Sequence, residues 1–307
     1  MNYNFFIIGG DKRNLYLAKK LSKDGKNVKI FGFDRISDDF FANNNIKNIK
    51  EEKELFFELK KLKIETMDKT TQSREKNETI IIGPIPYSID GKTLYAPFSN
   101  KKLDINLLKN KKIIAGKIPK GITDENSFDI LKDEYFTIKN TVPTAEGAIA
   151  KAIELTDIDI DKANIMVLGF GRVGKTLCYK LKNMGANVFA EARKEKDLAW
   201  IDVFGYNAIP LERINENICK MDIIFNTIPE LILDKSKLIL MNDNTLIIDL
   251  ASKPGGTDFE SASKMGIRAI LYSGIPGKIA SLEEAELIKE NVYKKITNIT
   301  NKLHYIK

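Results

Sequence analysis

Two Rossmann-like α/β domains, each a doubly wound parallel sheet, with a cleft between them, are what this 307-residue sequence predicts. Three observations carry the prediction. Short apolar runs alternate with helical stretches, the chain is long enough for two cores of ordinary size, and each half opens alike, with an apolar strand entering a glycine turn and then a helix. The boundaries that follow are 1–140 for a substrate-side domain and 141–280 for a dinucleotide-binding domain. A last helix over 281–303 is free to pack back across the first domain.

The first half begins with the strand Phe5-Phe6-Ile7-Ile8, which ends in Gly9-Gly10-Asp11 and leads to a helix through Leu15, Leu17, Ala18 and Leu21. A strand from Val28 to Phe33, a charged helix around 51–63 and the strand Thr79-Ile80-Ile81-Ile82-Gly83 continue the alternation. Lys112-Ile113-Ile114-Ala115-Gly116 and a short element near Phe136 complete it. Gly9-Gly10-Asp11 lacks the full dinucleotide spacing, which assigns this half to a substrate rather than to a second nucleotide. Thr141-Val142-Pro143-Thr144-Ala145-Glu146-Gly147 connects the halves. Pro143 suits a first helical turn, Glu146 complements the helix dipole, and Ala148, Ile149, Ala152 and Ile153 supply an apolar face.

The second half opens on Ile165-Met166-Val167-Leu168-Gly169-Phe170-Gly171-Arg172-Val173-Gly174, the most informative stretch of the chain. An apolar strand runs directly into G-x-G-x-x-G and a helix, the arrangement in which glycines permit a tight turn, close approach of a pyrophosphate and close helix packing. Gly169, Gly171, Arg172, Val173 and Gly174 are therefore candidate cofactor ligands. The next strand, Asn187-Val188-Phe189-Ala190-Glu191-Ala192-Arg193, places Ala192 at its tip, where an NAD site usually carries an acid for the ribose hydroxyls. Arg193, Lys194 and Lys196 lie just beyond, and a guanidinium holds a 2′-phosphate by paired hydrogen bonds. The cofactor expected is NADP, with Arg193 and Lys194 as ligands; a one-residue slip would bring Glu191 to the ribose and favour NAD. Further strands at Asp222-Ile223-Ile224-Phe225-Asn226-Thr227 and Thr245-Leu246-Ile247-Ile248-Asp249 end in polar residues, and Arg268-Ala269-Ile270-Leu271 leads to Ser273-Gly274-Ile275-Pro276-Gly277. Ligands of open parallel sheets gather beyond the carboxyl ends of the strands, so Asn226 and Thr227 are candidates for the cofactor and Ser252 and Gly277 for the substrate.

Composition narrows the function further. No apolar run reaches the length of a membrane span and no signal peptide is apparent at Met1-Asn2-Tyr3, so a cytoplasmic protein is expected. The net charge of +7 comes from scattered lysines rather than a stripe, which argues against nucleic acid as partner. Cys178 and Cys219 have no metal-ligand spacing around them and are expected as buried, reduced thiols, with no metal site. The single histidine, His304, falls in an expected exposed tail, which excludes dehydrogenases whose acid is an interior His.

Together, Gly9-Gly10-Asp11 with Arg13, Asn140 to Gly147, Gly169 to Gly174, Asn226-Thr227-Ile228-Pro229, the run Asp249 to Phe259 and Gly274 to Lys278 resemble the dipicolinate synthase A-subunit family along nearly the whole chain. The segment 38–78 is lysine- and asparagine-rich and departs from the family pattern. The resemblance implies a sporulating bacterium, expression in its mother cell, and a flavoprotein-like partner, the B-subunit of dipicolinate synthase. It also implies NADP-dependent oxidation of dihydrodipicolinate, derived from 4-hydroxytetrahydrodipicolinate, to pyridine-2,6-dicarboxylate. A homo-oligomer is expected as well.

Such a reaction yields an aromatic ring, so the protein has mainly to hold the ring and bind its carboxylates, with a modest base for the proton. Arg13 and Lys253 each follow a strand end and are candidates for the small dicarboxylate substrate. Asp11 either orients Arg13 or acts as base; Asp249 either meets substrate or caps its own loop. The competing functions are an amino-acid dehydrogenase of the alanine dehydrogenase kind and a non-catalytic NADP-sensing subunit.

Overall fold

Strands that are apolar on both faces need helices on both sides, and the central strands of this chain are buried along nearly their whole length. The computed structural model describes residues 3–42, 44–67, 78–122 and 127–304. It divides into two units, Met1–Thr137 with Ala280–Lys307, and Ile138–Ile279.

The first unit contains β1 (Tyr3–Ile8), α1 (Lys12–Lys23), β2 (Val28–Phe31), β3 (Ile46–Ile49), α2 (Glu52–Met67), β4 (Glu78–Ile82), β5 (Ile113–Ala115) and β6 (Phe128–Asp129). Its six strands are all parallel, in the order β3-β2-β1-β4-β5-β6. Phe5 and Ile7 of β1 face one core and Phe6 and Ile8 the other, as the two-residue period of a strand requires.

After α3 (Glu134–Lys139), the second unit runs through α4 (Thr141–Leu155), β7 (Asn164–Leu168), α5 (Arg172–Asn183), β8 (Asn187–Ala192), α6 (Glu195–Val203), β9 (Asn207–Pro210) and α7 (Ile214–Asn217). It continues with β10 (Ile223–Asn226), α8 (Lys235–Leu238), β11 (Leu246–Asp249), α9 (Phe259–Lys264), β12 (Arg268–Leu271) and α10 (Pro276–Ile279). The strand order is β12-β11-β10-β7-β8-β9, again all parallel. Counted from each first strand, both sheets have the 3-2-1-4-5-6 order of a doubly wound nucleotide-binding fold. Ile165 and Val167 pack under α4 and α5, while Met166 and Leu168 face the opposite core with Ala262 of α9.

The closing helix, α11 (Ser281–His304), returns to the first unit. Ala285, Ile288, Val292 and Ile296 recur at helical spacing and share a core with Leu17, Ala18 and Leu21 of α1. Each leucine, isoleucine or valine of this set taken out of water contributes about 2 kcal/mol. Lys20 and Lys289 pair with Glu286, and Lys289 also with Asp24, at the rim of this seam.

Several local expectations are corrected. β2 stops at Phe31, two residues short of Phe33, because Gly32 takes a left-handed φ of +87°. The edge strands β3 and β9 add to the expected alternation; each mixes polar and apolar residues, as edges do. Ile153 is half exposed rather than on the core face of α4. Cys178 is buried, but Cys219 is exposed, because the single turn Ile218–Lys220 sends Ile218 inward and the thiol out. Residues 68–77 and the side chain of His304 lie outside the described residues. Among the described residues no helix is long and apolar enough to cross a membrane.

Candidate functional site

The turn from β7 to α5 uses its three glycines for three different reasons. Gly169 has φ +90°, a conformation L side chains avoid, and a Cβ there would stand 2.6 Å from Thr227 Oγ1. Gly174 lies so close beneath the turn that a Cβ would collide with the Gly169 carbonyl oxygen. Gly171 is different: its φ is an ordinary −78°, and a Cβ would meet nothing within 4 Å. Space is thus left open above the backbone at the helix start, where Gly171 supplies no capping side chain and the helix dipole favours an anion. A pyrophosphate fits this place, and Gly169, Gly171, Arg172, Val173 and Gly174 would form its cradle.

Beside the cradle, β8 pairs Leu168 with Glu191 and ends at Ala192. Glu191 is buried, and its Oε2 accepts a hydrogen bond from the Gly169 N–H at 3.0 Å. Burial raises its pKa, against the pull of the Gly169 amide and then of Arg193, with Glu212 adding to the rise. The carboxylate therefore supports the turn from below. Arg193 and Lys194 follow on the exposed surface, where Arg193 Nη1 lies 3.7 Å from Glu230. Such an exposed pair contributes little stability and leaves the guanidinium available to a stronger anion.

The neighbouring strand ends are knitted together. Thr227 Oγ1 donates to the Leu168 carbonyl at 2.8 Å, and Asn226 closes its own turn with Ile228 by donating to its carbonyl and accepting from its N–H. Asp249 is fully buried: Oδ1 accepts from the Ala251 N–H, and Oδ2 accepts from the Gly256 N–H and the Thr257 hydroxyl. Its carboxylate caps the loop that presents Ser252 and Lys253, both exposed. Gly277 is buried in α10. A broad surface groove in this unit, lined by Ile149, Ile153, Tyr179 and Met184, lies at the far end of α5 from the glycine turn.

The equivalent turn of the first unit is closed. Asp11 caps α1, its Oδ1 accepting from the Arg13 N–H, so the first-turn amides already have an anion of their own. A Cβ on Gly10 would collide with Asn14. The same carboxylate receives the Arg13 guanidinium, Nε to Oδ1 at 3.0 Å and Nη2 to Oδ2 at 2.8 Å, and Nη2 also donates to the Ile85 carbonyl. Both residues are buried. A third ionisable group of this unit, which no motif marks, is buried as well: Glu284 of α11 is 2% exposed, and its Oε2 has no hydrogen-bond partner among the described residues. Burial pushes its carboxyl up from 4.5 to about 7, with Arg13 pulling it down and Asp11 pushing it up. The signal is present in the helical period, since Glu284 stands four residues before Ile288 on the apolar stripe.

Compared with known proteins, the chain is 30% identical to the dipicolinate synthase A-subunit of Bacillus subtilis (strain 168) over 297 residues, 95% of each chain. The chain belongs to the dipicolinate synthase A-subunit family. A family model described as the N-terminal domain of the dipicolinate synthase A-subunit matches residues 4–60. The crystal structure of the Bacillus subtilis dipicolinate synthase A chain superposes with a TM-score of 0.77 at 28% identity, covering 98% of both chains. That of the Bacillus halodurans A-subunit gives 0.75 at 28% identity, covering 95% of this chain and 97% of the other.

Two outcomes test this geometry. Gly171→Val should melt within a few degrees of wild type, because its φ and surroundings accept a side chain, yet weaken dinucleotide binding by at least about tenfold. Thermal melts and cofactor titration on one preparation decide it; a variant that binds normally would reduce the motif to a packing turn. The second outcome concerns Glu284. A carboxyl raised in the folded state keeps a proton that the unfolded chain releases, so stability falls as pH rises from 4.5 to about 7 and levels off above. Glu284→Gln should remove that decline, worth up to roughly 3 kcal/mol; an unchanged pH dependence in chemical denaturation would contradict it.

Proposed function

We propose that the chain is the NADP-dependent dehydrogenase subunit of a dipicolinate synthase, which oxidises dihydrodipicolinate to pyridine-2,6-dicarboxylate. The observation that carries this reading is the open face of Gly171 at the start of α5, next to a strand that ends at Ala192 with Arg193 and Lys194 following it. NADP, when bound, accepts a hydride and so completes the loss of a hydride and a proton that makes the ring aromatic. The chain's own task is binding and orientation. The first-turn amides of α5 would hold the pyrophosphate, and Arg193 and Lys194 would hold the 2′-phosphate.

In the first unit Asp11 orients Arg13, and Arg13 takes a substrate carboxylate. The planar guanidinium is fixed by three hydrogen bonds from Nε and Nη2, which leaves Nη1 to meet a carboxylate with little freedom to lose on binding. Asp249 acts through its loop, by keeping Ser252 and Lys253 in place. The flavoprotein-like B-subunit of the synthase and the sporulating mother cell belong to the same proposal, as does assembly into a homo-oligomer.

The test is to incubate the purified chain with NADP and a freshly generated 4-hydroxytetrahydrodipicolinate, with and without the B-subunit. Pyridine absorbance rising in step with NADPH supports the proposal; cofactor binding without turnover under either condition identifies a sensing role instead. Arg193→Ala should weaken NADP by one to two powers of ten, because a charge-assisted contact contributes about 1.5–3 kcal/mol, and should leave NAD nearly unchanged. Equal loss for both cofactors in parallel titrations would refute the 2′-phosphate role.

A further inference from the structure

The peptide that joins Leu168 to Gly169 is gripped from both sides by side chains at the ends of the neighbouring strands. Thr227 Oγ1 donates to its carbonyl at 2.8 Å, and Glu191 Oε2 accepts from its N–H at 3.0 Å. A neutral acceptor would serve the second contact, yet the chain places an acid there. Glu191 is 1% exposed, and its Oε1 is buried without a hydrogen-bond partner among the described residues. Asp249, also buried, has by contrast a donor on each oxygen. A proton on Glu191 Oε1 therefore breaks no existing bond, and Oε2 can go on accepting from Gly169. We propose that Glu191 takes up a proton from solvent when a dinucleotide fills this turn, and holds the Gly169 amide as a neutral acid in the loaded protein. This inference rests on the cofactor placement given above.

The direction follows from where the charges fall. The amides assigned to the pyrophosphate begin at Gly171, two residues after the glycine that Glu191 holds, and Arg193, assigned to the 2′-phosphate, stands two residues after Glu191 itself. Phosphates at these two places oppose a carboxylate that water cannot reach. In the free protein burial disfavours the ionised form of Glu191 most, the Gly169 amide and then Arg193 favour it, and Glu212, just after β9, disfavours it. Once Arg193 engages a phosphate its support for the ionised form is cancelled, while burial and Glu212 remain. Glu230, the present partner of Arg193, has a side chain 75% exposed and is solvated when displaced. Thr227, on the other side of the same peptide, carries no charge.

The experiment is calorimetric titration of the full chain with NADP at pH 6, 7 and 8, each in two buffers of different ionisation enthalpy. A phosphate monoester titrates near pH ~6 on its own, so the quantity read is the difference between wild type and Glu191→Gln. Glutamine keeps an oxygen for the Gly169 N–H and has no proton to gain. Wild type should take up more protons than Glu191→Gln, by up to about one per cofactor, and its affinity relative to the variant should fall by up to about tenfold per pH unit. Glu191→Ala, which offers Gly169 no acceptor, should bind NADP more weakly than Glu191→Gln at every pH. Equal proton counts and parallel pH profiles for wild type and Glu191→Gln overturn the proposal. If Glu191→Gln does not fold, the side-chain carboxyl carbon of Glu191 in isotope-labelled wild type decides: it should move toward its acid position as NADP is added, and an unmoved resonance refutes the uptake. If neither protein binds NADP, the cofactor placement itself fails; if both bind it with equal proton counts, only the role of Glu191 fails.

Discussion

A helix that follows a strand of a parallel sheet begins with amides that have no partner inside the helix, and what meets them fixes what each half of this chain can bind. In the first unit Asp11 meets them, and its carboxylate, already committed, gathers Arg13 into the same buried corner. In the second unit Gly171 leaves them open, with Glu191 and Thr227 bracing the turn from within the protein. Two sheets of one strand order are thus divided into a self-capped turn that buries a guanidinium and a turn that no side chain caps.

Keeping Arg13, Asp11 and Glu284 out of water is costly unless each has a use. The Asp11–Arg13 pair is satisfied by geometry, since every carboxylate oxygen has a donor. Glu284 is not, and α11 carries it there on the strength of Ala285, Ile288 and Val292. Hydrophobic docking of one helix therefore holds a destabilising group in place, a pattern found where pKa values are tuned for a task. Glu191 is a milder case, because the Gly169 amide satisfies one of its oxygens while burial raises its pKa.

The parts of the fold most legible in the sequence are those in which residue type dictates geometry. Continuous apolar runs mark the central strands β1, β4, β7, β10 and β11, and the spacing of Gly169, Gly171 and Gly174 marks the turn. The edges are harder: Ile46-Lys47-Asn48-Ile49 and Asn207-Ala208-Ile209-Pro210 are short and carry polar residues, and only their pairing with β2 and β8 makes them strands. Within the site, Asp11 is legible as a partner that orients Arg13. Asp249 is legible as a residue that either meets substrate or caps its own loop, and the loop role emerges from Gly256 and Thr257, which reach it only when the loop has folded. Glu284 is legible as an acid on the apolar stripe of α11, but its burial depends on which helix α11 packs against, and that is a tertiary fact.

The functional inequality of the two turns is tested most directly by amide chemical shifts of isotope-labelled protein, followed while NADP is added. The largest changes should fall on Gly171, Arg172 and Val173 and on Arg193, with Gly9, Gly10 and Asp11 unmoved. Changes centred on the Gly9–Asp11 turn or on the α4–α5 groove, with the Gly169–Gly174 amides silent, would contradict it.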